Sequence, residues 1–272
     1  MPKRLLYIGL MIGLLCSSMP LCAQATASGY CGDRKPAANG KVYSDSTNVS
    51  WTLYTDSVAF VGKGAMGTSS SSVSSQASYI KKASFSKDIT FIGRYSLSHM
   101  NDLEQITVDP ENPNYESPDN CNCVIEKENE NDKKILLFIG NGFIPEGVEV
   151  LRNYALCDNY RLTSVTIPRS VKQMGEKTTH QDVGPTDSPF RLPSLTEIHV
   201  QWTTEEELPE WLTNKEIVNA NKITLYVPCG TESIYANAEP WKKCKSIVEE
   251  SPVTVEVNKA AMGSVKIEII EE

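Results

Sequence analysis

The sequence has few histidines and no excess of basic charge. Its 272 residues include three histidines, and none of them lies in an H-E-x-x-H motif or at a metal-ligand spacing to a cysteine. Lysine and arginine together number 26 against 34 aspartates and glutamates, which gives a net charge of −8. Such a surface repels phosphate backbones. We therefore expect no metal ion, no other cofactor and no nucleic acid among the ligands.

Beyond its N-terminus the sequence also lacks an apolar run long enough to span a bilayer. The N-terminus itself has two basic residues, an apolar run from Leu5 to about Leu15, and then Ala23-Gln24-Ala25, which fits a signal-peptidase site. We predict that residues 1–25 are a signal peptide and that the mature chain is secreted or at the cell surface. Lipid anchoring at Cys16 or Cys22 is disfavoured, because leucine precedes each of them.

What the sequence does contain is an internal repeat. The segment I-P-E-G-V that begins at Ile144 recurs as I-P-R-S-V at Ile167, and units that begin at Phe85 and Val108 are also separated by 23 residues. A period of this length lies within the range of leucine-rich repeats, in which each unit buries its apolar edge only against its neighbours. The repeat therefore predicts a solenoid.

Each unit carries a short L-x-x-β-x-β pattern, in which β is a branched apolar residue. The pattern begins at Leu103, Leu162 and Leu195, and its alternation is typical of a half-buried strand. We predict that these strands stack as one parallel sheet, joined by short helical or 3₁₀ segments. The predicted fold is thus a β-rich α/β leucine-rich-repeat solenoid with about five partial turns and a cap at each end.

Insertions and composition divide the chain further. Residues 123–125 and 135–138 predict a β-hairpin, and residues 175–189 predict a polar surface loop. The predicted organisation is a signal peptide at 1–25, an N-terminal cap with a serine-rich linker at 26–75, repeats at 76–200 with the inserted hairpin at 109–143, a C-terminal cap at 201–250, and a β-like tail at 251–272.

In combination these features resemble the BspA-like leucine-rich-repeat surface proteins of Bacteroidetes. The resemblance rests on the I-P-x-x-V repeats and on further pieces in a fixed order: Cys31-Gly32-Asp33, Val49-Ser50-Trp51-Thr52-Leu53, Gly62-Lys63-Gly64-Ala65-Met66, Leu225-Tyr226-Val227-Pro228, Gly230-Thr231, Tyr235 and Trp241. It implies an exported protein whose relatives are linked to adhesion, to host matrix proteins and to other bacteria. It brings no catalytic residues with it.

Three groups of residues could be interpreted as parts of an enzyme active site, but a non-enzymatic interpretation is favoured for each. The G-x-G-x-x-G motif at residues 62–67 is followed by serines rather than by an amphipathic helix, so a dinucleotide site is disfavoured. Cys121 and Cys123 are expected to form disulfides in an exported protein. Cys157 precedes His180 and His199, but no glycine elbow accompanies it. We predict that the protein is not an enzyme.

The predicted function is protein–protein adhesion through the exposed strand residues, with an extracellular protein or glycan as partner. Residues that alternate with the apolar positions are the candidates for the binding face: Gln105, Thr107, Ser164, Thr166, Glu197 and His199. One alternative is a carbohydrate-binding accessory protein that stacks sugars on Trp202 and Trp211. The other is a structural spacer. A disulfide between Cys229 and Cys244 is expected, because both lie in one short segment.

Overall fold

The computed structural model describes residues 24–32, 46–67, 73, 78–93, 96–97, 99–118, 122–127, 134–140, 143–156, 160–175, 188–212 and 215–250. Most of the predicted signal peptide, most of the polar loop, Cys121, Cys157, His180 and the tail at 251–272 lie outside the described residues. Those predictions remain predictions.

The described chain is built mainly from short strands. In chain order they are β1 (Ala27–Gly32), β2 (Ser46–Leu53), β3 (Ser57–Gly62), β4 (Gly64–Ala65), β5 (Lys82–Phe85), β6 (Ile89–Phe91), β7 (Gln105–Val108), β8 (Tyr115–Glu116), β9 (Cys123–Glu126), β10 (Ile135–Ile139), β11 (Val150–Leu151), β12 (Ser164–Ile167), β13 (Gln173–Met174), β14 (Glu197–Val200), β15 (Glu210–Trp211), β16 (Thr224–Pro228) and β17 (Ser246–Glu250). The described residues also include one α-helix, α1 (Glu232–Asn237), and 3₁₀ turns at Glu205–Glu207, Ala220–Lys222 and Trp241–Lys243.

The strands stack into a solenoid of about six turns, one more than the sequence predicts. The N-terminal sheet has the order β1-β2-β3-β5-β7, antiparallel up to β3 and parallel from there. The C-terminal sheet, β12-β14-β16-β17, is parallel throughout. In both sheets one strand per turn pairs with the strand of the next turn. The predicted leucine-rich-repeat solenoid is therefore confirmed.

The three predicted repeat strands are β7, β12 and β14, and their side chains alternate as the pattern requires. Ile106, Val165 and Ile198 are buried, and the residues on either side of them point outward. Each fully buried branched side chain contributes on the order of 2 kcal/mol by leaving water. Stacking of the turns, rather than any single unit, supplies the core.

The I-P-x-x-V motif forms the corner after β12, and its first copy, which begins at Ile144, forms the adjacent corner of the preceding turn. After Ile167, the amide of Val171 donates to the carbonyl of Pro168 at 3.1 Å, and Ile167 and Val171 are fully buried. The corner also contacts the next turn, because the amide of Gly147 donates to Ser170 Oγ, the equivalent position 23 residues later, at 3.1 Å. The 23-residue spacing of the two I-P-x-x-V segments thus places equivalent residues of adjacent turns in contact.

The prediction that all repeat strands form one parallel sheet is wrong, because β7 and β12 belong to different sheets. The predicted hairpin, β9 against β10, is confirmed and lies between them. It joins a six-stranded sheet of order β15-β13-β11-β10-β9-β8, in which β10, β11, β13 and β15 run parallel. The insertion therefore interrupts the face of the solenoid while continuing its second column of strands.

The hairpin also separates two hydrophobic cores. Leu136 and Ile125 pack into the core beneath the C-terminal sheet, and Leu137 and Val124 pack into the core beneath the N-terminal sheet. Both strands are buried on their two faces, which explains why the sequence of β10 reads as a continuous apolar run. The hairpin is a shared wall of the two cores.

The side chain of Asn122 takes the place of a strand at the edge of β7. Its Nδ2 donates to the carbonyl of Glu104 at 2.5 Å and its Oδ1 accepts from the amide of Ile106. Asn122 has a φ of 46°, a left-handed conformation that asparagine tolerates better than most residues. Gly140 makes room for it, since a Cβ there would lie 2.3 Å from Asn122 Nδ2.

Candidate functional site

All six predicted binding residues point outward, but the structure divides them between two surfaces. Ser164 pairs with Glu197 and Thr166 with His199 across β12 and β14, so these four form one patch. Gln105 and Thr107 lie on β7 in the other sheet. The predicted alternation is correct, whereas the prediction of one continuous face is not.

One outward row of side chains on the C-terminal sheet includes exposed apolar residues. Strand register and one β-bridge align Phe143, Thr166, His199, Tyr226 and Val248 across the sheet. Phe143 is 45% exposed and Val248 is 40% exposed. We call these five residues the aromatic row.

His199 is the centre of the aromatic row. Its ring stacks on Tyr226 with 4.4 Å between ring centroids and 8° between planes. Its Nδ1 lies 3.1 Å from Glu250 Oε2, and its Nε2 lies 3.9 Å from Glu197 Oε2. An imidazole is thus held against a phenol ring between two carboxylates, so the patch combines flat apolar surface with negative charge.

Tyr226, Val248 and Glu250 are functional candidates that sequence reasoning missed. The alternation around Tyr226, with Leu225 and Val227 buried on either side, repeats that of β14. That alternation was available in the sequence. The parallel sheet in fact extends through β16 and β17 into residues 201–250, the region predicted as the C-terminal cap.

The N-terminal sheet presents a different outward surface. Its two outward rows are Ser57, Lys82 and Gln105, and Ala59, Ser84 and Thr107. They surround a shallow depression of about 240 Å³. Small and hydroxyl-bearing side chains occupy the positions that hold His199 and Tyr226 in the other sheet.

Comparisons with known proteins give structural likenesses only. No family model and no curated protein matches the chain. A leucine-rich cell surface protein from Faecalibacterium prausnitzii aligns at 17% identity and a TM-score of 0.37, over 62% of this chain and 48% of that one. A leucine-rich repeat protein from Eubacterium ventriosum aligns at 10% identity and a TM-score of 0.31, over 75% and 83% of the two chains.

The pneumococcal vaccine antigen PcpA also aligns, at 13% identity and a TM-score of 0.26, over 63% of this chain and 56% of that protein. The chain spans about half the length of the Faecalibacterium protein. The assignment of this chain to the leucine-rich-repeat fold therefore rests on its own strand register.

Neither of the two tryptophans predicted as sugar platforms is fully exposed. Trp202 is 0% exposed, and its Nε1 donates to the carbonyl of Val171 at 3.0 Å. Trp211 is half-buried, with its ring 5.9 Å from those of Phe190 and Trp241. Both pack against the core, because the chain turns inward after β14. The prediction of a stacking platform is wrong for the fully buried Trp202 and remains a prediction for Trp211.

The predicted disulfide between Cys229 and Cys244 is also wrong, since both are free thiols. Cys229 directly follows the last residue of β16, whereas Cys244 lies two residues before the first residue of β17. These strands are parallel and in register from end to end. The cysteines are therefore separated by a strand length of roughly 16 Å, while a disulfide requires Cα atoms within about 7 Å.

The G-x-G-x-x-G motif lies at a tight corner between β3 and β4. A Cβ on Gly62 would lie 2.2 Å from the carbonyl oxygen of Asn48, so close backbone approach explains this glycine. Among the described residues no group of three or more His, Cys, Asp or Glu is arranged to hold a metal ion. Nor does that part of the chain contain a helix of the length and apolarity that crossing a membrane requires.

Proposed function

We propose that this protein is exported to the cell surface or secreted, and that it binds an extracellular protein through the aromatic row of its C-terminal sheet. The binding serves adhesion to a host matrix protein or to another cell. The observation that carries the proposal is the continuous outward row from Phe143 to Val248, with His199 and Tyr226 stacked at its centre.

The chemistry of the row supports a protein partner. Tyrosine is enriched at protein interfaces, because it offers a large rigid apolar surface together with a polar tip. Five adjacent strand positions span about 19 Å across a sheet, enough for the centre of a modest interface. The carboxylates of Glu197 and Glu250 at its margin favour a partner segment that carries lysine or arginine.

The signal peptide predicted at residues 1–25 and the resemblance to BspA-like surface proteins support the extracellular setting. No catalytic residue belongs to the proposal. The competing function is that of a structural spacer on the cell surface. A spacer would bind no partner, whereas an adhesive protein would.

The test is binding of the mature protein to immobilised fibronectin, laminin, fibrinogen, collagen and mucin, measured by biolayer interferometry. We expect saturable binding to at least one of them. Tyr226→Ala should weaken it by roughly thirtyfold, because a central aromatic residue in an interface typically contributes about 2 kcal/mol.

The matched control is Tyr160→Ala, which removes a tyrosine that is 50% exposed and lies outside the aromatic row. It should bind as the parent does. Equal loss in both variants would assign the effect to another surface, and the absence of saturable binding to all five proteins would favour the spacer.

A further inference from the structure

The depression on the N-terminal sheet is formed by small outward side chains. Ala59 and Ser84 occupy neighbouring positions on β3 and β5 and form its floor. Beneath them Phe60 and Phe85 are fully packed, with rings stacked at 5.0 Å between centroids. The depression is therefore a feature of the surface, and two stacked buried rings lie below it.

The walls of the depression combine hydrogen-bonding groups with one aromatic ring. Lys82, Gln105 and Thr107 line it with an ammonium, an amide and a hydroxyl. Tyr54 lines it beyond the start of β3, where its amide donates to the carbonyl of Ser57 at 2.8 Å and holds the turn in place. These groups converge on one small concave surface of mixed polarity.

The charges around the depression are compensated. Lys82 Nζ lies 3.6 Å from Asp56 Oδ2, and the adjacent Lys81 Nζ lies 3.3 Å from Glu104 Oε1. An anionic ligand would compete with these carboxylates and would also meet the net charge of −8 of the whole chain. A neutral ligand rich in hydroxyl groups meets no such penalty.

We infer that this depression binds one ring of a neutral saccharide. Its 240 Å³ is smaller than the roughly 300–1,000 Å³ of pockets for drug-sized ligands, so it has room for about one pyranose ring. Tyr54 offers a flat apolar surface to the C–H face of the ring, while Lys82 and Gln105 hydrogen-bond its hydroxyls. The site is separate from the aromatic row and does not depend on the proposed protein binding.

The test is a titration of ¹⁵N-labelled mature protein with maltotriose, cellotriose, mannotriose and xylotriose, followed by ¹H–¹⁵N NMR. At least one of them should shift the side-chain amide of Gln105 and the backbone amides of Lys82 and Thr107. So small and open a site should bind with a Kd on the order of 1 mM. Sialyllactose, which carries a carboxylate, is the anionic comparison and should bind more weakly than the neutral saccharides.

Ser84→Leu fills the floor and should abolish the shifts. The matched control is Ser164→Leu, the same change at an outward position of the C-terminal sheet, which should leave them intact. Gln105→Ala, an exposed substitution that preserves the fold, should weaken binding about fivefold by removing one neutral hydrogen bond. A dispersed spectrum for each variant confirms that it is folded.

Three results would overturn the inference. They are the absence of shifts with all four neutral saccharides, binding by Ser84→Leu equal to that of the parent, and shifts with sialyllactose alone. Ser84→Leu should also retain any Tyr226-dependent protein binding, so failure of the saccharide site and failure of the proposed function are separately visible.

Discussion

The N-terminal and C-terminal sheets of this solenoid are alike on their inward faces and different on their outward faces. Their inward positions carry interchangeable apolar residues, such as Ile106 in the N-terminal sheet and Ile198 in the C-terminal sheet. Their outward positions differ at equivalent places, with Ser84 in one sheet and His199 in the other. The inward set specifies the fold, and the outward set gives each sheet its own binding chemistry.

The largest expected effect comes from the hairpin wall between the two cores. Leu136 and Leu137 are adjacent, almost fully buried, and face opposite cores. Replacing either by alanine should cost about 2–5 kcal/mol in free energy of unfolding, because each change leaves a cavity. In hydrogen–deuterium exchange, Leu136→Ala should accelerate exchange mainly in β12 and β14, and Leu137→Ala mainly in β5 and β7.

Each leucine variant is the control for the other, since they differ only in the core that they face. Identical exchange maps would show that the two sheets open as one unit. That result would contradict the division of the molecule into two cores.

A smaller effect is expected at the edge where the N-terminal sheet ends. Asn122→Gly removes both hydrogen bonds to the edge of β7 and keeps a residue that accepts a positive φ. The unpaired amide of Ile106 should lower the free energy of unfolding by about 1–3 kcal/mol and exchange faster with solvent. Urea denaturation and amide exchange measure the two effects.

The matched control is Asn219→Gly, a second asparagine with positive φ, whose Nδ2 makes one long exposed contact of 3.5 Å to the carbonyl of Pro193. It should change stability by a few tenths of a kcal/mol. If both glycine variants lost the same stability, the side chain of Asn122 would not act as a substitute strand.

The fold was predictable because its determinants are periodic. The buried positions Ile106, Val165 and Ile198 recur with the repeat, and the I-P-x-x-V corners mark the ends of turns. The break between β7 and β12 was not predictable, since the outer edge of β7 pairs with the side chain of Asn122 instead of with another strand. Local periodicity carries no information about such a contact.

The candidate site was predictable to the extent that it follows alternation. Alternation placed His199 and Thr166 outward, but the aromatic row also needs Tyr226 and Val248, which come from later turns with steps of unequal length. The prediction that Trp202 lies on the surface was wrong, because this residue is buried in the core. Aromatic residues supply surface platforms and core packing equally well, and only the direction of the chain after β14 decides between them.

The smallest expected effect distinguishes the corners of the two halves. In the N-terminal half Lys87 Nζ contacts Glu111 Oε2 at 2.7 Å, a single exposed ion pair between adjacent turns. In the C-terminal half Arg169 Nε donates to Glu207 Oε1 at 2.8 Å, and the amide of Thr203 donates to Glu207 Oε2 at 2.9 Å. The second corner holds its carboxylate from two sides.

The hydrogen bond from Arg169, and after it the one from the amide of Thr203, lowers the pKa of Glu207 from 4.5 to about 2. Because the pKa is lower in the folded state, the stabilisation is present above pH 4.5 and is lost as the pH falls towards about 2. An NMR titration of the Glu207 carboxyl carbon should therefore show a midpoint near 2 in the parent. The midpoint should move towards 4.5 in Arg169→Ala and stay in place in Lys87→Ala, whereas a parent midpoint near 4.5 would show that Arg169 and Thr203 do not stabilise the Glu207 carboxylate.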